Sequence, residues 1–149
     1  MKKKIIIICM ISAFSLFVAA YLIFVNIAYS KAEKACDLIF ESKGIYNKSC
    51  SELMDKNTYK DLSAEIIYYK HNEIKRGDDF KVLKYDVETT SSPFDFVFDK
   101  KVELKCRYSI EYKGKVYESV YSYFETEPIT VKTKIDGGNL KVFYEFPPI

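Results

Sequence analysis

An uninterrupted apolar segment, Ile5 to Tyr29, constrains this chain more than any other feature. It contains 25 residues without a charge and directly follows the three lysines Lys2 to Lys4. As an α-helix rising 1.5 Å per residue it would be about 37 Å long, whereas the hydrocarbon core of a bilayer is about 30 Å thick. We therefore predict a membrane contact through residues 5–29, with residues 1–30 as an N-terminal anchor and residues 31–149 as a separate domain.

The distribution of basic residues predicts the orientation of this anchor. Lys2, Lys3 and Lys4 precede the apolar segment, whereas only Lys31 and Lys34 follow it closely. Because the more basic flank of a membrane span stays in the cytoplasm, we predict a cytoplasmic N-terminus. The expected location is the cell membrane, as a single-pass protein with its C-terminal domain in the periplasm or outside the cell.

A removable signal peptide is the alternative to a permanent anchor. Two segments have the small residues that a signal-peptide cleavage site requires: one ends at Ala20 and the other at Ser30. Cleavage after Ala20 would leave the apolar residues 21–25 at the start of the mature chain, and cleavage after Ser30 would require an unusually long signal. We therefore expect the anchor to be retained, and a secreted protein with a cleaved signal is the alternative.

Charge and composition limit the function of the outer domain. All 21 acidic residues and 20 of the 23 basic residues lie after position 30, so the domain carries a net charge of about −1. A nucleic-acid-binding protein would show a basic stripe, and none is present in the sequence, so no nucleic-acid partner is predicted. The 119 residues suffice for one core, and 13 Tyr with 11 Phe favour a β-rich interior.

The first part of the outer domain is predicted to be helical. An apolar stripe with helical spacing continues the membrane helix into the domain and ends before Gly44; its members are Ala28, Ala32, Ala35 and Ile39. Ser49 and Glu52 form a capping-box pattern, which predicts a short helix over residues 50–56. The spacing of apolar residues over residues 58–75 predicts a helix followed by a strand.

From Phe80 onward the apolar residues alternate, which predicts strands, including one over Phe94, Phe96 and Phe98. Two hairpins are predicted, with turns at Lys113-Gly114 and Gly137-Gly138. The predicted pairs are Ile110–Tyr117, Cys106–Tyr121, Leu104–Tyr123, Ile135–Leu140, Thr133–Val142, Val131–Tyr144 and Ile129–Phe146. The predicted fold class is α+β: an N-terminal transmembrane helix that extends into a small antiparallel β-meander of five or six strands packed on the helix.

Three of the four cysteines are expected outside the membrane, because Cys9 lies within the apolar segment. An oxidising compartment favours one intramolecular disulfide among them. Cys36–Cys50 is the first candidate because it would join two neighbouring helices. Cys50–Cys106 is the alternative because it would join the second helix to the sheet.

The sequence does not predict catalysis, a metal site or a small-molecule cofactor. His71 is the only histidine and lies in a polar stretch, so we predict a solvated surface position. Two pairs of acidic residues, Asp95 with Asp99 and Glu125 with Glu127, could in principle serve glycoside cleavage, but solvated carboxylates at strand ends are the simpler interpretation. One histidine without a Cys-x-x-Cys pattern disfavours zinc.

The sequence favours a membrane-anchored extracytoplasmic module that binds a protein partner and has no enzymatic activity. Immunity proteins and accessory subunits of envelope machines have a comparable architecture, although this analogy concerns architecture alone. A pilin-like structural subunit is the alternative. Pilins carry a Gly before the cleavage site and a Glu five residues after it, whereas this chain has no Gly before Gly44 and no acidic residue before Glu33.

Overall fold

The structure, a computed structural model, describes residues 2–119 and 128–147. The helical elements are α1 (Lys2–Ser42), α2 (Lys48–Leu53), α3 (Lys56–Ser63), a π-helical turn (Ala64–Tyr68) and α4 (Pro93–Asp99). The strands are β1 (Lys81–Thr90), β2 (Lys101–Tyr112), β3 (Lys115–Glu118), β4 (Ile129–Asp136) and β5 (Asn139–Phe143). A long apolar helix followed by an antiparallel sheet confirms the α+β class.

The helix α1 is continuous over 41 residues and joins the apolar segment to the folded domain. The predicted alanine stripe is confirmed, because Ala28, Ala32 and Ala35 are fully buried. Their small side chains allow the sheet to approach the helix closely. The helix ends at Ser42, where Lys43 and Gly44 adopt positive φ angles of 50° and 81°, so the predicted end is also confirmed.

The sheet has the order β1-β2-β4-β5, and β3 pairs with β2 as well. The long strand β2 therefore has β1 along one edge, with β3 and β4 sharing the other edge. The predicted pairs Ile110–Tyr117, Ile135–Leu140 and Thr133–Val142 are confirmed.

Four other predicted pairs are not found as ladder pairs in the described residues. Tyr121 and Tyr123, the predicted partners of Cys106 and Leu104, lie outside the residues that the structure describes. The strand β5 ends at Phe143, so Tyr144 and Phe146 follow it instead of extending the ladder with β4.

The core lies between α1 and one face of the sheet. The ring of Phe40 packs edge-on against Tyr85 and Tyr108, with centroid distances of 4.9 and 5.1 Å. On the preceding turns of α1, the side chains of Ala28, Cys36 and Ile39 are each 0% exposed. One helix therefore serves two environments: its C-terminal part forms the core, while its N-terminal part projects beyond it.

The prediction of a strand over Phe94 to Phe98 was wrong, because these residues form the helix α4. The Ser92 hydroxyl accepts a hydrogen bond from the backbone N–H of Asp95 (3.1 Å) and donates one to the Asp95 carboxylate (2.7 Å). Pro93 occupies the first turn, where its missing N–H costs nothing. These capping interactions outweigh the alternation of apolar residues, which here spans only five positions.

Two further local predictions were wrong. The segment after α3 continues as a π-helical turn and not as a strand, and the N–H of Tyr69 donates to the carbonyl of Ala64 at 2.8 Å. The N-cap of α2 is Asn47 and not Ser49, since the Asn47 side chain accepts a hydrogen bond from the N–H of Cys50 at 3.0 Å. Both Asn and Ser are good N-caps, so the tertiary fold decides between them.

Candidate functional site

The largest candidate interaction surface is the N-terminal half of α1, which lies outside the core. The helix is long and apolar enough to cross a membrane by length and composition. Twelve large apolar side chains on it are each at least 50% exposed: Ile5, Ile6, Ile7, Ile8, Met10, Ile11, Phe14, Leu16, Phe17, Leu22, Ile23 and Phe24. Exposure of so much apolar surface to water is unfavourable. The surface also greatly exceeds the apolar patches found on soluble monomers.

Packing of the domain on α1 begins before residue 30. Tyr21 packs edge-on against Phe96 of α4, with the ring centroids 5.8 Å apart, and Val25 is 5% exposed. Residues 2–20 therefore form the part of α1 that extends past the domain. At 1.5 Å per residue this part is about 28 Å long, close to the thickness of one hydrocarbon core.

The four cysteines, all within the described residues, are free thiols. The structure brings together Cys36 on α1 and Cys106 on β2, whose thiols are neighbours in the interior. The Cys106 thiol, burial and the nearby Asp37 carboxylate raise the pKa of the Cys36 thiol. The Cys36–Cys50 and Cys50–Cys106 disulfides stay predictions, and the observed neighbours form the third possible pair.

Tyr85 completes this cysteine cluster. Its hydroxyl lies close to Cys36, Cys106 and Asp37 but makes no hydrogen bond of ordinary geometry and is buried. Burial raises the pKa of Tyr85 and the nearby Asp37 carboxylate adds to this shift, so the hydroxyl stays protonated. The raised pKa values of Cys36 and Tyr85 disfavour the thiolate that nucleophilic chemistry at Cys36 would require.

His71 is buried and not solvated, so the prediction of a surface position was wrong. It is 6% exposed, and its Nε2 lies 2.9 Å from the Tyr108 hydroxyl, which donates a hydrogen bond to the Ile66 carbonyl at 2.6 Å. Since the Tyr108 proton is used in that bond, His71 Nε2–H is the donor to Tyr108. Burial, assisted by the charge of Lys70, lowers the pKa of His71.

The rings around His71 explain its burial. They are those of Tyr108 and Tyr117, with centroids 5.7 and 5.4 Å from the imidazole. The Tyr117 hydroxyl in turn donates to the Glu73 carboxylate. The polar residues next to His71 in the sequence indicate an exposed position. Its burial depends on residues of β2 and β3, which are far away in the sequence, so the local pattern could not predict it.

The candidate carboxylates are not assembled into a site by the described residues. Asp95 takes part in the α4 cap, and Asp99 is exposed at the end of the same helix. Glu125 and Glu127 lie outside the described residues. Within the described ranges, no group of three or more His, Cys, Asp or Glu side chains has an arrangement that could hold a metal ion.

An open groove of about 810 Å³ lies between the start of α3 and the segment after β5. Its lining combines acidic and aromatic side chains, including Asp61, Tyr144, Glu145 and Phe146. Asp55 also lines it, but its carboxylate already accepts hydrogen bonds from the backbone N–H groups of residues 57 and 58. The groove is thus an open surface depression lined by both polar and apolar groups.

Comparison with protein-family models, curated proteins and solved structures finds no match to this chain.

Proposed function

We propose that this chain is a single-pass membrane protein whose outer domain binds a protein partner outside the cytoplasm. The observation that carries this proposal is the continuity of α1. Its exposed apolar part runs into a buried part without a break or a linker, so the domain is held at a fixed height on its anchor. A domain held in this way can meet partners only in a layer close to the membrane surface.

The anchor is proposed to be retained because two cleaved forms would be unfavourable. Cleavage after Ser30 would remove Val25 and Ala28, which are 5% and 0% exposed in the core. Cleavage after Ala20 would keep the packed residues, but Ile23 and Phe24, which are 60% and 55% exposed, would then face water. Retention of the anchor keeps Val25 and Ala28 in the core, and a membrane around this part of α1 would cover Ile23 and Phe24.

The strand β1 is the proposed partner-binding element. Within the described part of the chain, β1 pairs only with β2, so its other edge can accept a further strand. Lys84, Asp86 and Glu88 are exposed on the sheet face opposite α1. Edge lysines and the register shift between Val82 and Lys84 oppose indiscriminate pairing, so a partner strand must match these charges.

Site-specific crosslinking of the full chain in cell membranes tests this proposal. A photo-crosslinking amino acid replaces Asp86 in β1, and a second variant carries it in place of the exposed Lys48 on α2. We expect a discrete protein adduct from the β1 position alone. The adduct should become several-fold weaker with Lys84→Glu, which reverses a charge at the edge, and should be unaffected by Glu52→Lys on α2.

The same experiment separates the alternatives. An adduct with a second copy of this chain would favour the pilin-like alternative, a self-assembling subunit. Equal adducts from both positions, or none from β1, would contradict binding at this edge.

A further inference from the structure

The helix α4 presents an apolar face that the domain does not cover. Phe94 and Phe98 are 77% and 75% exposed, and their rings stack on each other with centroids 5.8 Å apart. Val97, between them on the same face, is 37% exposed. Because the opposite side of α4 is fixed by the buried Phe96, this face is held outward as a rigid apolar surface.

The position of α4 along α1 indicates what covers this surface. Phe96 packs on Tyr21, so α4 lies at the height of residue 21 on the anchor. The lysines at positions 2–4 are about 26 Å away along the helix, since each residue adds 1.5 Å. If these lysines lie at one membrane interface, Tyr21 and α4 lie at the other, because the hydrocarbon core is about 30 Å thick.

The neighbouring side chains suit a membrane interface. Tyrosine is enriched at this depth, and Tyr21 packs against the domain there. Lys100 and Lys101 follow α4 directly and place positive charge beside it, although the Lys100 ammonium also donates to the Val97 carbonyl at 3.0 Å. Asp99 is exposed at the helix end. The Asp95 carboxylate accepts a hydrogen bond from the Ser92 hydroxyl and is part of the N-cap interaction.

We infer that α4 is an interfacial foot: Phe94, Val97 and Phe98 enter the outer boundary of the lipid bilayer beside α1. This inference depends on the proposed membrane anchorage. Two contacts with the bilayer, a spanning helix and a short amphipathic helix, would fix both the height and the tilt of the domain. The β1 edge would then face its partner in one orientation.

Tryptophan fluorescence tests the foot, because the chain contains no natural tryptophan. Phe98→Trp reports on α4, Phe14→Trp on the exposed anchor, and Val116→Trp on β3, which pairs with the opposite end of β2. Each full-length variant is reconstituted into phosphatidylcholine–phosphatidylglycerol vesicles with brominated acyl chains. We expect several-fold quenching at positions 98 and 14 relative to non-brominated vesicles, and no quenching at 116. Phe94→Trp is a second reporter if Phe98→Trp loses its native circular dichroism.

The outcomes distinguish the foot from the anchor. Quenching at position 14 without quenching at 98 and 94 would overturn the foot and leave the anchorage intact. A blue-shifted but unquenched Phe98→Trp would also overturn it, since a protein surface would then cover α4. An unquenched position 14 would overturn the anchorage itself, and the foot with it.

Discussion

His71 shows how one buried base affects stability. Its neutral imidazole donates to the Tyr108 hydroxyl beneath two tyrosine rings, and burial lowers its pKa. Folding therefore opposes protonation of this group. Its contribution to stability is complete above the unfolded pKa of about 6.5 and decreases as the pH falls through that value toward the lowered native pKa.

We expect His71→Gln to remove this part of the pH dependence, because glutamine cannot become charged. Unfolding in denaturant between about pH 7 and pH 5 should show a smaller loss of stability for the variant than for the natural chain. Asn72→Gln, at the exposed neighbouring position, is the control and should keep the natural slope. Equal slopes for His71→Gln and the natural chain would contradict a buried, pKa-shifted histidine.

Gly44 combines a positive φ of 81° with a crowded surrounding. An added Cβ would clash with the Tyr68 hydroxyl oxygen and would lie 2.8 Å from its ring carbon Cζ. The guanidinium of Arg76 lies 4.8 Å from the Tyr68 ring centroid and donates to the Ser63 hydroxyl at 2.7 Å, so the ring cannot withdraw freely. Burial also raises the pKa of Tyr68 to about 12, which keeps its hydroxyl neutral.

We expect Gly44→Ala to destabilise the domain more than Gly138→Ala. Gly138 has a similar φ of 83° but no atom within 4 Å of an added Cβ, so it reports the backbone cost alone, about 1–2 kcal/mol. The difference between the two free energies of unfolding measures the contact with Tyr68. Identical losses of stability would show that the Tyr68 ring moves aside.

At the scale of elements, the contact between Cys36 and Cys106 joins α1 to β2. In an oxidising compartment a disulfide oxidant can accept two electrons and two protons from these thiols, which closes one disulfide and reduces the oxidant to two thiols. Closing a loop of this length would stabilise the fold by about 4 kcal/mol in the chain-entropy model.

We expect oxidised glutathione to link Cys36 with Cys106, as measured by a non-reducing peptide map of the full chain. The reaction should accelerate at alkaline pH, because the raised pKa of Cys36 limits its thiolate. Cys106→Ala should abolish the link, while Cys50→Ala should preserve it. A Cys36–Cys50 peptide would instead support the pairing that the sequence favours.

At the scale of the whole molecule, the anchor and the domain share one helix. We expect the mature protein in the membrane fraction to begin with Met-Lys-Lys-Lys in N-terminal sequencing and to resist extraction by alkaline carbonate. A mature end at Tyr21 or Lys31 would show that the apolar segment is a removable signal.

Features encoded within a few neighbouring residues were predictable from the sequence. The length of the apolar segment and the alanine spacing predict α1, and Gly44 predicts its end. The glycine turns predict two hairpins, whose registers are confirmed at Ile110–Tyr117 and Ile135–Leu140. Ser92 and Pro93 are residues that favour a helix start, whereas the alternating phenylalanines that follow them predict a strand. A cap satisfies backbone groups directly, so it is the stronger signal over so short a segment.

The sequence by itself determined where the apolar surface lies, because hydrophobic length and helical spacing are local properties. Only the tertiary structure decided which distant residues meet. It placed His71 beneath Tyr108 and Tyr117, Cys36 beside Cys106, and α4 at the height of Tyr21. These contacts depend on how the sheet closes over α1. Since burial of apolar area is non-directional, no local pattern specifies which face of the sheet meets which turn of the helix.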